Sequence, residues 1–393
     1  MHRPLKVAIV ASGLAAKGGG APVSEAGLAR ALNNRMTVSL LCHQARVDPT
    51  FVNRFQLEQC LHTYNWSSVF HLFLGIGNLY KEVADCDVLH INGHWRWENA
   101  VFAWAASRQG KPYFLHPRGM LAFTKRSSTK KKVFNFFLGN RLMKGATGVI
   151  ALSRFECRNF SGRPIDLAKV SVIPNGIDFD PMDFDTKQNA GPFLYFGRIE
   201  ARKNLIFLVE AYFRYTKLGG RLELLMMGPV ERGYDRDIRT AISRHDLDEK
   251  IHLLPPDYGP GRDERIRQAI AVVYPAVDEA FGRVPFEALA LGTPTLIPDE
   301  SGAAEYLSHQ IVRTTYRSGD ADSLANIMRE VEISPPSFEE IGRARRWLGS
   351  DLNWTAIASR VEDLYNRSIN VRRQIENTDG ALSKLRSSGN LVK

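Results

Sequence analysis

Two glutamates with seven residues between them are the clearest chemical signal in this 393-residue sequence. Glu279 and Glu287 lie in the segment DEAFGRVPFEALALGTPTLIP, in which Pro285-Phe286-Glu287 opens an amphipathic helix. Glu279 is expected in the loop after a strand, and Glu287 in the first turn of the helix. Carboxylates presented in this way accept hydrogen bonds from hydroxyls, so Glu287 is expected to bind the ribose of a nucleotide and Glu279 a hexose. Each glutamate alone also has a plain explanation, as a helix-dipole partner or as an exposed loop acid.

A pair of cations follows the first strand of the second half of the chain. Arg198 comes directly after Gly197, and Lys203 lies at the turn into the next helix. Two cations beside the free N–H groups of a helix start form a site for a diphosphate. The plain alternative is that both are ordinary exposed surface residues.

Three glycines, Gly18, Gly19 and Gly20, stand between the first strand and the helix that follows it. Glycines at such a turn let the backbone approach an anionic group at a helix N-terminus. The spacing is not that of the dinucleotide motif GxGxxG, and the alternative is a flexible surface loop.

Short runs rich in Val, Ile and Leu alternate with helical stretches along both halves of the chain. Such runs are typical of strands buried on both faces of a parallel sheet. The predicted strands are 6–11, 37–42, 87–92, 112–117, 148–153 and 170–175, then 193–197, 222–228, 251–256, 271–276 and 293–298. The alternation predicts an α/β fold with two Rossmann-like doubly wound domains that face each other across a cleft.

The domain boundaries follow from the places where this pattern stops. A polar segment from Asp178 to Gly191 is predicted to link a first domain, 1–180, to a second, 190–350. A final helix is expected at 351–370, and a flexible tail at 371–393 because the apolar periodicity is lost there. Asp178-Phe179-Asp180 resembles a DxD metal motif only superficially, and we interpret it as a turn at the boundary.

The composition and the net charge limit the compartment and the partners that are expected for the protein. The sequence contains no run of about 18 apolar residues and no apolar stretch at its N-terminus, so neither a spanning helix nor a signal peptide is expected. Four scattered cysteines without CxxC spacing fit a reducing cytoplasm. The net charge of +10 suggests a nucleic acid, an anionic membrane surface or a phosphorylated small molecule as partner. No recognised nucleic-acid motif is present, so no nucleic-acid partner is expected.

The segment EAFGRVPFEALALGTPTL, preceded by GRIEARKN and PNGID, resembles the retaining GT-B glycosyltransferases of the family 4 type. The resemblance extends from KVAIVA to LNWTAIASRVEDLY, and HPRGM with the basic stretch after it is similar to polysaccharide-assembly members. It implies a hexose transfer from a nucleotide-diphosphate sugar, of the GDP-mannose or UDP-hexose class, to a glycan hydroxyl. It also implies that the first domain is on the acceptor side and that the helix at 351–370 crosses back to it.

The resemblance assigns roles to individual residues. Glu279, His116, Arg198 and Lys203 correspond to catalytic positions, with His116 near the reacting sugar and the two cations on the diphosphate. The expected donor-binding residues are Gly18, Gly19, Gly20, Arg198, Lys203, Glu279, Ala280, Phe281, Gly282 and Glu287. His94 and Arg118 are candidates for the acceptor side, and His90 is another histidine that follows a strand. The cations would replace a metal in stabilising the departing charge, so no metal or other cofactor is expected.

The acceptor is suggested only by a basic, Phe-rich cluster. Lys125-Arg126 and Lys130-Lys131-Lys132 stand beside several phenylalanines, a mixture suited to a helix lying on acidic lipid headgroups. The cluster predicts a peripheral position on the inner face of the cell membrane and a lipid-linked acceptor. A solvated helix whose other face packs in the core is the alternative. For the whole chain, the alternatives are a sugar-nucleotide epimerase of the same fold and a non-catalytic sugar- or nucleic-acid-binding protein.

Overall fold

The computed structural model describes residues 3–15, 19–65, 77, 79–122, 128–180, 191–311 and 313–370. These residues form two domains, each built on one parallel sheet. The first sheet has seven strands in the order β3-β2-β1-β4-β5-β6-β7. Its strands are β1 (Lys6–Val10), β2 (Thr37–His43), β3 (Leu61–Tyr64), β4 (Val88–Asn92), β5 (Tyr113–His116), β6 (Gly148–Ala151) and β7 (Val170–Val172).

The second sheet has six strands in the order β10-β9-β8-β11-β12-β13. Its strands are β8 (Phe193–Phe196), β9 (Leu224–Met227), β10 (Ile251–Leu254), β11 (Ala271–Val273), β12 (Thr295–Pro298) and β13 (Thr315–Tyr316). In both sheets the strand order reverses beside the first strand of the domain. A reversal of this kind opens a crevice at the carboxyl ends of the strands, where ligands bind in doubly wound folds.

Helices cover both faces of each sheet, which explains why the central strands are buried along their whole length. Every residue of β4 and of β8 is buried. In the first domain the helices are α1 (Gly20–Asn33), α2 (Pro49–Phe55), α3 (79–85), α4 (Trp97–Arg108), α5 (Ser128–Phe134), α6 (Asn140–Lys144) and α7 (Arg154–Cys157). A π-helical turn, Asn135–Gly139, joins α5 to α6.

The second domain and the end of the described chain contain eight further helices in the described residues. They are α8 (Leu205–Lys217), α9 (Tyr234–Arg244), α10 (Pro260–Gln268), α11 (Arg283–Ala290), α12 (Ala304–Leu307), α13 (Ala321–Ile333), α14 (Phe338–Asp351) and α15 (354–370). None of the described helices is both long enough and apolar enough to cross a bilayer.

The sequence analysis predicted the α/β fold with two doubly wound domains, and the structure confirms it. The apolar runs marked eleven of the strands but missed β3 and β13. Both missed strands lie at a sheet edge, and β3 has a half-exposed sequence, LHTY. An edge strand is not enclosed on all sides, so it lacks the continuous apolar run on which the prediction rested. Most of the predicted linker, 181–190, and the predicted tail, 371–393, lie outside the described residues.

Helix α15 follows the second domain in sequence but packs on the first. The indole ring of Trp354, at its start, packs so closely on Gly27 and Gly176 that a β-carbon at either glycine would lie within 2.4 Å of the ring. Further along, Glu362 pairs with Arg35 at 2.6 Å. The chain therefore ties its two domains together through this last helix.

Candidate active site between the two domains

The carboxyl end of β8 holds a half-buried lysine–glutamate pair. A 3-10 turn, Ala201–Lys203, follows the strand, and Asn204 then adopts a left-handed conformation with a φ of 56° that starts α8. This turn directs the ammonium group of Lys203 onto the Oε1 atom of Glu279, in the loop after β11. The same ammonium group lies 3.3 Å from the hydroxyl of Tyr274. Because β8 and β11 are neighbours in the sheet, the fold brings together two residues that the sequence separates.

This pairing sets the charge of Glu279. Burial acts to raise the pKa of the carboxyl group, but Lys203, Arg202 and Arg198 outweigh it and lower the pKa below its ordinary value. Glu279 is therefore an ionised acceptor of hydrogen bonds beside a fixed cation. The side chain of Arg198 is about half exposed, and its guanidinium group lies 3.3 Å from Glu200.

Glu287 lies in the second turn of α11, between two arginines. The predicted place in the first turn is wrong, because the helix begins at Arg283 and not at Pro285. Its Oε1 atom accepts a hydrogen bond from Nε of Arg283 at 3.0 Å. Its Oε2 atom lies 3.6 Å from Nη1 of Arg262. The guanidinium group of Arg262 also lies over the ring of Phe196, 6.0 Å from its centre. The two cations hold the carboxylate at the carboxyl edge of the sheet.

The segment between the two glutamates is fixed by the first domain. The carbonyl oxygen of Ala280 accepts a hydrogen bond of 2.5 Å from the hydroxyl of Ser153. Phe281 stacks on Phe286 with ring centres 4.2 Å apart, and Gly282 has a φ of 71° that lets the chain turn sharply into α11. The backbone of residues 280–282 therefore has a defined path along the cleft wall.

The glycine loop of the first domain faces this wall from across the cleft. A β-carbon at Gly19 would lie 3.8 Å from Nε of Arg198, and one at Gly20 would lie 3.1 Å from Cδ of Arg283. Gly20 is the first residue of α1, so the positive end of that helix points into the cleft. The arrangement brings two arginines and a helix N-terminus to one place, as an anionic ligand requires. Gly18 lies outside the described residues.

His116 ends β5 on the opposite side of the cleft and is buried. Neither of its ring nitrogens has a hydrogen-bond partner among the described residues. Burial, reinforced by the nearby charge of Arg118, holds the pKa of His116 well below its ordinary value. The ring of His90 lies 5.4 Å away between centres, and burial lowers the pKa of His90 to about 3. Both histidines are therefore neutral at physiological pH.

Arg118, a candidate for the acceptor side, lies in a buried polar cluster. Its Nε donates to Asn92 and its Nη1 donates to Asn175, each at 2.7 Å. The carboxylate of Glu25 lies 3.9 Å from Arg118 and accepts hydrogen bonds from the backbone and side chain of Ser12. Burial lowers the pKa of Arg118 to about 10, although Glu25 opposes the shift. In this arrangement Arg118 braces the loops that follow β1 and β4.

His94, the other acceptor-side candidate, is enclosed by aromatic residues. Its Nε2 lies 2.9 Å from Oδ1 of Asn135 in the π-helical turn, and its ring contacts Trp95 and Phe134 edge-on. Burial lowers the pKa of His94 to about 4. His94 therefore connects the end of β4 to the surface helix α5.

Two family models match consecutive parts of the chain and meet where the two domains join. The model described as Glycosyltransferase Family 4 matches residues 18–181, and the model described as Glycosyl transferases group 1 matches residues 178–347. The chain is a GT-B glycosyltransferase of the family 4 type. This assignment agrees with the resemblance noted in the Glu279–Glu287 segment and disfavours the epimerase alternative.

Curated relatives of this glycosyltransferase share about a quarter of their aligned residues with it. A D-inositol 3-phosphate glycosyltransferase of Pseudarthrobacter chlorophenolicus is 25% identical over 244 residues, which is 58% of either chain. A glycogen synthase of Mycobacterium tuberculosis is 28% identical over 213 residues, covering 51% of this chain and 49% of that protein. The glycosyltransferase thus matches only about half to three fifths of the length of these relatives.

Solved structures match over almost the whole chain. Anabaena Alr3699/HepE, in complex with UDP and glucose, has a TM-score of 0.74 at 18% identity and covers 92% of this chain and 100% of its own. The sucrose-phosphate synthase of Thermosynechococcus elongatus has a TM-score of 0.69 at 18% identity and covers 93% and 100%. At this level of identity the likeness shows the shared GT-B fold.

Several residues of the glycosyltransferase cleft were not singled out in the sequence. Arg283 bonds to Glu287, Tyr274 accepts a hydrogen bond from Lys203, and Arg262 pairs with Glu287 from α10. Arg283 could have been found, because it stands four positions before Glu287, the spacing at which helical side chains meet. Arg262 and Tyr274 gave no comparable signal. Among the described residues, no three His, Cys, Asp or Glu side chains come together in a group suited to a metal ion.

Proposed function

We propose that this glycosyltransferase moves a hexose from a nucleoside-diphosphate hexose to a hydroxyl of a glycan acceptor with retention of configuration. The proposed donor belongs to the UDP-hexose or GDP-mannose class, and the acceptor is a lipid-linked glycan in polysaccharide biosynthesis. The single observation that carries the proposal is the contact between Lys203 and Glu279, with Arg198 and the glycine turn facing it. Retention and the polysaccharide role rest on the resemblance in the Glu279–Glu287 segment.

The cleft matches the chemistry of such a transfer. The bond between C1 of the hexose and the diphosphate breaks, and the acceptor oxygen bonds to C1. The proton of the acceptor hydroxyl leaves with the nucleoside diphosphate. Negative charge grows on the departing diphosphate, where Arg198, Lys203 and the start of α1 are preorganised to stabilise it. Ionised Glu279 accepts hydrogen bonds from the hexose, and Glu287 accepts them from the ribose.

His116 has a distinct part in this proposal. A neutral imidazole offers one N–H donor and one acceptor nitrogen, and neither nitrogen of His116 is used within the described part of the chain. We place His116 on the reacting hexose, where it would bind a hydroxyl without adding charge. His94 and Arg118 then support the acceptor side through the loops that they brace.

The proposal includes independence from metal ions. The side chains around the proposed diphosphate position are cations, which can themselves neutralise the leaving group. Transfer is therefore expected to continue at an unchanged rate in excess EDTA. A loss of activity that added Mg²⁺ or Mn²⁺ restores would contradict this part of the proposal.

A thermal-shift panel of sugar nucleotides tests the donor site. A ligand that binds only the native state raises the melting temperature in proportion to its affinity and concentration. One nucleotide sugar is expected to stabilise the wild type and not Glu287→Ala. Glu300→Ala is the matched control, since Glu300 is an exposed glutamate of the same domain, two-thirds accessible, that lies outside the site. If no sugar nucleotide stabilises the well-folded wild type, the proposed function is wrong.

The membrane part of the proposal rests on a basic–aromatic surface formed by Lys130, Lys132, Val133, Phe136 and Phe137. The side chain of Phe136 is 75% exposed and that of Phe137 57% exposed, so these phenylalanines do not pack in the core. Large apolar side chains beside lysines on one exposed helix suit the boundary of an anionic bilayer. Residues 123–127, which include Lys125 and Arg126, lie outside the described part of the chain.

Vesicle flotation tests the basic–aromatic surface. The wild type is expected to bind vesicles that contain phosphatidylglycerol and not vesicles of phosphatidylcholine alone, with binding that weakens as salt is added. Phe136→Ser with Phe137→Ser, and separately Lys130→Glu with Lys132→Glu, should remove the binding. Ile333→Ser is the matched control, because Ile333 is an equally exposed apolar residue of the other domain. Absence of binding at low salt would rule out the membrane position.

A further inference from the structure

Arg283 contacts both domains at once. It is the first residue of α11, and only 9% of its side chain is exposed. Its Nε donates to Glu287 within the second domain at 3.0 Å. Its Nη1 reaches across the cleft to the hydroxyl of Ser24 at 3.3 Å and to the carbonyl oxygen of Gly176 at 3.1 Å. One guanidinium group therefore joins the proposed ribose ligand to the first domain.

One side chain packs beside both acceptors in the first domain. Ser24 lies on α1 close to Gly27, and Gly176 lies in the segment that leaves the first domain. Trp354 packs against both glycines, with ring atoms where a β-carbon of either residue would stand. Trp354 opens the helix that returns to the first domain, so this packing lies where α15 meets that domain.

Both arginine partners of Glu287 belong to the second domain, but only Arg283 also contacts the first domain. Arg262 belongs to the second domain alone, so it keeps its contact with Glu287 wherever the first domain lies. Arg283 can keep its contacts with Ser24 and Gly176 only while the cleft is closed. A guanidinium group offers several donors in a fixed planar fork, so it can hold acceptors on two sides simultaneously.

We propose that Arg283 is a positioning residue that links closure of the cleft to the placement of Glu287 for the donor ribose. Closure brings Ser24 and Gly176 to the guanidinium group, which then fixes the carboxylate of Glu287. When the cleft opens, these two contacts are lost and the guanidinium group beside Glu287 is no longer anchored to the first domain. This proposal rests on the proposed function for the role of Glu287, but the link between Arg283 and closure stands on the contacts alone.

The test compares three substitutions of the full chain by small-angle X-ray scattering, with and without UDP or GDP. Arg283→Met removes all of the polar contacts. Arg283→Lys keeps a positive charge for Glu287 but has a single nitrogen, which cannot span both domains. Arg262→Met is the matched control, because it removes the other cation beside Glu287 and no contact across the cleft. Both Arg283 variants are expected to have a larger radius of gyration than the wild type, and Arg262→Met is expected to match the wild type.

Transfer kinetics provide the second readout. For Arg283→Lys, kcat is expected to fall about 100-fold because the reacting groups lose their alignment. The Kd for the nucleoside diphosphate should rise less than about fivefold, because the charge near Glu287 remains. The proposal is overturned if the scattering curves of both Arg283 variants superimpose on that of the wild type. It is also overturned if Arg283→Lys loses only affinity for the nucleotide and keeps its kcat.

Two features keep the outcome clear. If Arg283→Met fails to fold, Arg283→Lys and Ser24→Ala decide the question, because both retain most of the side-chain volume and Ser24→Ala removes one cross-domain bond. If no nucleotide binds the wild type, the proposed function fails, yet the scattering of the ligand-free variants still decides whether Arg283 holds the cleft closed.

Discussion

The hydroxyl of Tyr365, on the returning helix α15, lies 2.5 Å from Nδ1 of His90 at the centre of the first sheet. The two residues are 275 positions apart, and both are fully buried. His90 stands beside His116, so this hydrogen bond connects the last helix of the described chain to the histidines beneath the cleft. Two of the following predictions concern this hydrogen bond, and two concern the Lys203–Glu279 pair and the packing of Trp354.

Replacing Tyr365 by phenylalanine should destabilise the protein by about 1–3 kcal/mol, because a buried ring nitrogen of His90 loses its partner. Urea unfolding followed by tryptophan fluorescence measures the change. Tyr258→Phe is the control, since Tyr258 is 61% exposed. Equal stability of the two variants would show that the bond to His90 contributes nothing.

Acid should destabilise the protein in part through His90. Its folded pKa is lowered to about 3, so the unfolded chain binds the proton more readily. This contribution to stability is complete above the unfolded pKa of about 6.5 and is lost as the pH falls toward 3. Between pH 7.5 and pH 5 it amounts to about 2 kcal/mol. His90→Gln should therefore lose less stability than the wild type over this interval, and parallel losses in urea titrations would contradict the prediction.

Lys203→Met should raise the pKa of Glu279, because burial then acts on the carboxyl group with less opposition. The acid limb of the kcat/KM profile should move to higher pH, and the plateau should fall about 100-fold through loss of charge on the leaving group. Lys217→Met removes an exposed lysine of the same helix region and should leave both features unchanged. An acid limb that stays at the same pH would show that the ionisation of Glu279 does not control the activity.

Gly27→Ala should be strongly destabilising, because its β-carbon would lie 2.3 Å from the indole ring of Trp354. Trp354→Ala alone should cost about 3–5 kcal/mol through the cavity that it leaves. In the double variant the alanine at position 27 meets no ring. The sum of the two single-variant losses of stability should therefore be much larger than the loss measured for the double variant. Thermal unfolding of the two single variants and the double variant measures these losses. If the losses are additive, the two residues do not interact.

The sequence by itself determined the type of the fold and the main candidate residues of the cleft. Continuous apolar runs marked the buried strands because a strand covered on both faces is apolar along most of its length. The spacing of Glu279 and Glu287 and the cations at 198 and 203 marked the carboxyl edge of the second sheet, because the two segments that contain these residues follow β8 and β11. Such signals are local, so one stretch of chain is enough to contain them.

Only the tertiary structure decided which of these residues meet. Lys203 and Glu279 are 76 residues apart, and Arg283 and Ser24 are 259 apart and in different domains. The exposure of Phe136 was equally undetermined, since a phenylalanine beside lysines fits a core helix or a surface helix in the sequence alone. Contacts of this kind depend on how helices and whole domains pack, and hydrophobic periodicity within one segment carries no information about the segment that packs against it.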